Sequence, residues 1–271
     1  MAYTNFKQTF WSKHIQSQLE KHCVLLEDCD FTYEGEVKHG EKIKVLGVGR
    51  PTISEYNSTD IGVAETVTDS AVELNIDQAK YFNFMVDDVD KAQGTPGLME
   101  ALTLESSRAL AQERDTYIAS LYTQAGKTSS SVAVSTPEDA KKAVDAAFEV
   151  LWNNGVKIGS DVTVVLTPWF YNLFKDELTN RYTDNMELIS QGIIGLYNGA
   201  AVKLSNNLYN DGTDDYMFVK TKRAIAFAGQ IQSTEAYRPE GLFADALKGL
   251  DVYGAKVVKP DEMYVIKAHK A

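Results

Sequence analysis

Cysteine and histidine are scarce: 271 residues contain two cysteines, Cys23 and Cys29, and four histidines. Two thiols do not make a disulfide framework, so the fold must rest on a packed core. His22, Cys23 and Cys29 lie close together, with His14 eight residues before His22. A zinc site needs four ligands at suitable spacing, and a buried, structural Cys23 is the better reading. Neither Gly-x-Ser-x-Gly nor His-Glu-x-x-His occurs, so hydrolase chemistry has no motif to stand on. No stretch approaches the roughly 18 apolar residues of a membrane span. The start, Met1–Phe6, lacks the basic segment and apolar run of a signal peptide, so the chain is expected to be made in a reducing cytoplasm. Positive charge is also short, with 27 Lys and Arg against 38 Asp and Glu, a net of -11. That balance argues against gripping nucleic acid through the surface at large.

What is present suits a substantial core. Hydrophobic residues make up 44% of the chain, with 14 Tyr and 11 Phe as bulky packing groups. Residues 6–26 read as an amphipathic helix, since Trp11, Ile15, Leu19 and Cys23 recur every fourth position. Lys42 to Val48 and Ala71 to Asp77 alternate as strands around a polar tip, Asn57–Asp60 with Gly62. The result is a long two-stranded flap with too few large apolar residues for its own core. An isolated hairpin is marginal in water, so the flap is expected to rest on something else. The acidic strand Tyr81–Asp88 leads to a helix opened by Thr95-Pro96 and running to about Ala125. Such a helix is roughly 40 Å long, a strut across a whole domain.

Thr136-Pro137 and Thr167-Pro168 repeat that start signal, a hydroxyl cap followed by proline at the first helical position. After Thr136, one apolar face is formed by Ala140, Val144, Ala147, Phe148 and Leu151, and Asn154-Gly155 ends the helix. Val162–Leu166 reads as a buried strand and Trp169–Leu178 as a short helix. Strands are expected at Ala201–Leu204, Tyr216–Lys220, Ala224–Ile231, Val252–Val258 and Met263–Lys267. The class is α+β.

Motifs that suggest chemistry are incomplete. Gly126-Lys127-Thr128 has the tail of a phosphate-binding loop, but Leu121 stands where the upstream glycine belongs, so it reads as a helix cap before a serine linker. Gly47-Val48-Gly49 lacks the third glycine of a dinucleotide site. Asp87, Asp88 and Asp90, and the run Asn210–Asp215, lack the twelve-residue calcium spacing with its closing glutamate, and read as solvated turns.

The order of elements carries more than any motif. Phe10-Trp11-Ser12 lies on an N-terminal arm, then come Tyr33–Val37 with Gly40–Val45, Leu74–Asp77, Tyr81–Asp90 and the long helix. In that order they resemble, across nearly the whole chain, the major capsid proteins of tailed bacteriophages with the HK-97-like fold. The resemblance implies an arm (1–32), an extended loop (33–77), a peripheral domain around a spine helix (78–130 and 250–271) and an axial domain (131–249). It implies a structural protein with no catalytic, cofactor-binding or metal residues, self-assembling into hexamers and pentamers of an icosahedral shell around double-stranded phage DNA. The arm begins almost at Met1, so a separate scaffold protein, or none, is expected, alongside a portal and decoration proteins. The packaged DNA would be held without sequence-specific binding, and no membrane is involved.

Candidate subunit-interface residues are Trp11, Lys38, Lys42, Lys44, Arg50, Asp87, Asp88, Asp90, Glu100 and Glu105. Residues 38–50 carry four bases against Glu41, a net of +3, and residues 87–115 carry seven acids against three bases, a net of -4. The implied contact sets the loop on a neighbour's peripheral domain, steered by opposite charge. Two other readings stand beside this one. The first is an encapsulin-type nanocompartment shell. The second, lower, is a soluble carbohydrate-binding protein or enzyme using Tyr197, Tyr209, Asp214 and Tyr216.

Overall fold

A computed structural model describes residues 24–33, 42–48, 53, 69–88, 98–157, 159, 161–180 and 195–271. Its elements are β1 (Lys42–Val48), β2 (Asp69–Asn75), β3 (Gln78–Asp87), α1 (Leu98–Ser120), β4 (Lys127–Thr128), β5 (Val132–Val134), α2 (Pro137–Asn153), β6 (Val162–Leu166), α3 (Pro168–Asn180), β7 (Leu196–Tyr197), β8 (Ala200–Leu204), β9 (Asp215–Thr221), β10 (Ile225–Tyr237), β11 (Ala244–Val257) and β12 (Met263–Lys270). Residues 6–23 of the expected helix, the loop tip and Thr95-Pro96 lie outside the described residues, while the expected helix end at 24–26 is a bend leading into a 3-10 turn, Leu26–Asp28.

Strand β1 pairs antiparallel with β2, and β3, β11 and β10 form a three-stranded antiparallel sheet. A larger mixed sheet runs β4-β12-β9-β6-β8-β7, with β5 also on β12. Side chains that alternate along a strand point to opposite faces, and the large sheet uses both. From β9 and β12, Met217, Val219, Tyr264, Ile266 and Ala268 enter one core with α2 and α3. Tyr216, Phe218, Met263 and Val265 enter the other, with Leu110, Ala111 and Ile118 of α1 and Phe227 and Tyr253 of the three-stranded sheet. The large sheet is therefore the middle layer, which is why Val162–Leu166 is buried at every position.

Helix α2 follows its sequence signal closely. Thr136 and Asp139 form a reciprocal capping box. Ala140, Val144, Ala147, Phe148 and Leu151 are fully buried, and Gly155 past the end has φ +80. Helix α1 spans 23 residues, about 35 Å, unbroken through 100–118 as expected. It leaves α geometry earlier than expected, at Ser120, and finishes as a 3-10 turn, Leu121–Gln124. Its inward stripe includes Thr103, Ser107, Arg114 and Asp115 among Leu110, Ala111, Ile118 and Ala119. The Thr103 and Ser107 hydroxyls donate to the carbonyls of Met99 and Thr103, one turn back.

Several expectations change. Residues 126–134 are not a serine linker: β4 and β5 pair in parallel with β12. Gly126 is needed for close approach, because a Cβ there would lie 2.6 Å from the Pro260 carbonyl oxygen. Strands β10 and β11 extend well beyond the expected spans. Residues 244–251 of β11 include Asp245, Lys248, Gly249 and Asp251, weak strand formers held by ladders on both sides, save Asp245, which pairs with β3 alone. The expected boundary at 249/250 falls inside β11. Strand β12 pairs with β9 in the large sheet, and its Met263 and Val265 share a core with α1.

The flap strands form as read, with Val45 opposite Val72. Ile43, Val45 and Leu74 are buried. Ile43 and Leu74 pack on Ala226 and Ala228 of β10 with Tyr33, Ile76 and Val258 around them. The flap base thus rests on its own chain.

Candidate subunit-contact surfaces

Lys42 and Lys44 project from the exposed side of the flap, and both reach Glu73 on the paired strand at 3.8 Å. The hairpin thus supplies its own counter-charge. Asp87 is exposed at the end of β3, and Asp88 pairs with Arg238, whose Nε also lies 3.5 Å from Asp245. Glu100 is exposed in the first turn of α1, and Glu105 pairs with Arg108 at 3.5 Å, one turn on. Trp11, Lys38, Arg50 and Asp90 lie outside the described residues. The acids of 87–115 do not form one surface. Glu113 pairs with Lys80 at 3.0 Å, and Asp115 is fully buried. Arg114 is buried along with Asp115, so the net of -4 survives burial, but Arg238 and Lys80, from outside the span, offset Asp88 and Glu113.

Sequence reasoning missed two buried ionic sites. Arg114 on α1 donates from Nε and Nη2 to the Asp251 carboxylate, at 2.8 and 2.6 Å. Its guanidinium carbon lies 5.6 Å from the ring centroids of both Phe227 and Tyr253. The second site surrounds residues 24–30. Asp115 accepts from the backbone amides of Val24 and Leu25 at 3.2 and 3.3 Å, and Asn207 donates to it at 3.4 Å. Lys203 lies 2.9 Å from carboxylate oxygens of both Glu27 and Asp28. Lys220, fully buried, donates to the Asp28 carbonyl. The only advance signal was a polar stripe on the inward side of α1, and nothing local in sequence named its partners.

Burial pushes the Asp115 carboxyl above its ordinary value, against the hydrogen bonds that lower it. The folded state then binds a proton the unfolded chain has released, so stability falls as pH rises from about 4 through the raised value. Asp115→Asn should remove that slope. The check is the difference in urea midpoint between the two proteins from pH 3 to 7, which should narrow at the acid end.

Of the residues of the enzyme reading, Tyr209 and Tyr216 meet with ring centroids 5.5 Å apart and Lys267 links Tyr216 to Asp214, but Tyr197 stands apart. The Tyr197 hydroxyl bonds Asp145 of α2 at 2.6 Å, on the opposite face of the large sheet from Tyr216. Tyr209 stacks on Tyr122 with centroids 4.7 Å apart. Asp214 meets Ser131 and His269, but the serine hydroxyl and the carboxylate both contact the same imidazole nitrogen, Nδ1, at 3.1 and 2.7 Å. A nucleophile relay needs them on opposite ring nitrogens. In the turn 210–215, Asp211 accepts from the amides of Thr213 and Asp214 at 3.0 and 2.7 Å. These bonds hold its carboxyl well below the usual range. The Asp211 carboxylate thus serves the turn's own backbone, while those of Asp214 and Asp215 bind side chains, Lys267 and Trp169 among them. Among the described residues, no group of three His, Cys, Asp or Glu side chains is placed to hold a metal. Among them, too, no helix is long and apolar enough to cross a membrane.

The family described as phage capsid protein matches residues 71–267. No curated protein matches the sequence. Among solved structures, a chain of Mycobacterium phage Che8 is similar with TM-score 0.77 and 27% identity, over 90% of each chain. A chain from the capsid of cyanophage P-SCSP1u has TM-score 0.73 and 17% identity, covering 87% of this chain and 85% of that one. The virus-like particle of Pyrococcus furiosus, at TM-score 0.61 and 13% identity over 98% and 100% of the two chains, shares the fold alone. The family match favours a phage shell over a nanocompartment. The chain belongs to the phage capsid protein family: it is a major capsid protein of α+β class with the HK-97-like fold, a structural protein that builds a capsid shell.

Proposed function

We propose that this major capsid protein assembles in the host cytoplasm into hexamers and pentamers of an icosahedral shell that encloses double-stranded phage DNA. A separate scaffold protein and a portal would accompany it, with decoration proteins on the finished virion. The observation that carries the reading is the family match together with a flap sheet, β1–β2, that takes no third strand among the described residues. The packaged DNA meets a chain of net charge -11, which suits confinement without sequence-specific contact. We place the peripheral domain at 78–124 and 225–257 and the axial domain at 127–221 and 263–270, following the sheets. The loop remains at 33–77 and the arm at 1–32. Size-exclusion chromatography and negative-stain microscopy of the purified chain should reveal closed particles or capsomer rings. A strictly monomeric species at high concentration would overturn the reading.

Within that shell, the flap lies across a neighbour, with Lys42 and Lys44 facing its acids, Asp87, Glu100 and Glu105 among them. Reversing the lysines would also set them against Glu73 in their own hairpin, so neutral Lys42→Gln/Lys44→Gln is the cleaner test. Exposed pairs are each worth below about 1 kcal/mol, so the effect belongs to rate. Assembly followed by light scattering should slow at low salt and converge with the unaltered protein at high salt. Identical salt series would remove the contact.

A further inference from the structure

Residues 24–30 are attached unlike the elements around them. They bring Leu25, Leu26 and Cys29 into the core beside Ile118, Phe218 and Phe227. The rest of their attachment is polar and comes from separate elements: Asp115 of α1, Lys203 of β8 and Lys220 of β9. One backbone pair completes it, Asp30 N to the Ile225 carbonyl at 2.8 Å and Phe227 N to the Asp30 carbonyl at 2.9 Å. Two buried carboxylates, Asp28 and Asp115, thus sit with two lysine ammoniums around one short segment.

Such an attachment is cooperative. A desolvated charge that loses its partner is costly, so these contacts are kept or lost together. With three apolar anchors and a single strand-like bridge, the segment should also open at a lower free energy than the two cores. We propose that residues 24–30 form an ionic latch that opens as one unit while the cores stay folded. When closed, the latch holds Val24 and Leu25 to Asp115 of α1, and when open it releases that anchor. One sequence then supplies two attachments of residues 24–30 without refolding the subunit, which deepens the shell-building reading and rests on it, but does not depend on the flap contact above.

Hydrogen exchange on the full-length subunit tests this. In the unaltered protein the amides of Leu25, Cys29 and Asp30 should exchange at one common rate, at least about tenfold faster than those of Val164 and Phe218. Lys203→Met leaves the Asp28 carboxylate without its cation, and should speed the segment by about a further tenfold while Val164 and Phe218 stay unchanged. Adding Asp28→Asn removes the orphaned charge and should bring the segment back toward the unaltered rate. The latch is overturned if segment and core exchange together in the unaltered protein. It is equally overturned if Lys203→Met leaves the segment's rate alone, or if the double variant is no slower than the single one. Should Lys203→Met fail to fold, the comparison within the unaltered protein decides.

Discussion

Replacing Arg114 with methionine should destabilise the subunit by about 3–5 kcal/mol, a cost set by the charge it abandons. Asp251 has no exposed surface and takes both of its close donors from one guanidinium. Loss of that group leaves the buried Asp251 carboxylate without those donors. The pair itself contributes far less than its removal costs, because two charges were taken out of water to make it. Arg114→Met/Asp251→Leu should therefore recover most of the loss, leaving a deficit of about 1 kcal/mol or a small gain. Urea unfolding of the three variants closes the cycle. A double variant as unstable as the single one would mean that the ion pair provides net stability.

Gly254→Ala should unseat the flap. A Cβ at Gly254 would lie 2.1 Å from the Asn75 carbonyl oxygen and 2.9 Å from Ile76 Cα. Both are main-chain atoms where β2 turns into β3, so no rotamer change relieves the clash. The cost should sit at the upper end of overpacking, about 3 kcal/mol. It should fall on the packing of Ile43 and Leu74 against Ala226 and Ala228, and leave the α2–α3 core alone. Limited proteolysis should then cut within 42–77 faster than in the unaltered protein, while near-ultraviolet dichroism of the cores persists. Unchanged proteolysis would show that the flap root can shift without loss.

Local rules carried the reading wherever local physics decides the structure. The Thr136 cap, the five buried positions of α2, the wholly buried β6 and the alternating flap strands all depend on neighbours within a few residues. Where pairing partners are distant, the sequence was silent. Arg114 finds Asp251 across 137 positions, and Asp28 meets Lys203 and Lys220 only after the large sheet has formed. Charge sums along the chain misread Asp115 as surface, since one residue of helix rotation carries it inward. The early part of β11 was missed because Asp245, Gly249 and Asp251 favour turns when read alone. Gly249 and Asp251 are held in a strand by β10 on one side and β3 on the other, and Asp245 by β3 alone. The serine-rich stretch 128–131 looked like a linker for the same reason, with its ladder partner far along the chain.

Strand β12 has a consequence for how new subunits mature. It joins β4, β5 and β9, so Tyr264 must meet Lys127 across 137 intervening steps of chain. Contacts of such long sequence separation form late and slowly. During synthesis, α2 and α3 can acquire helical turns early, but the sheet that seats them stays open along β9 and β5 until residues 263–270 have been made. A nascent chain therefore exposes unpaired strand edges from the completion of β5 until β12 is made, which favours capture by chaperones or misassociation. Completion of one short strand converts it to a finished building block. Competence to polymerise should consequently appear as a single late event, timed by translation of residues 263–270 and not by the earlier formation of its helices.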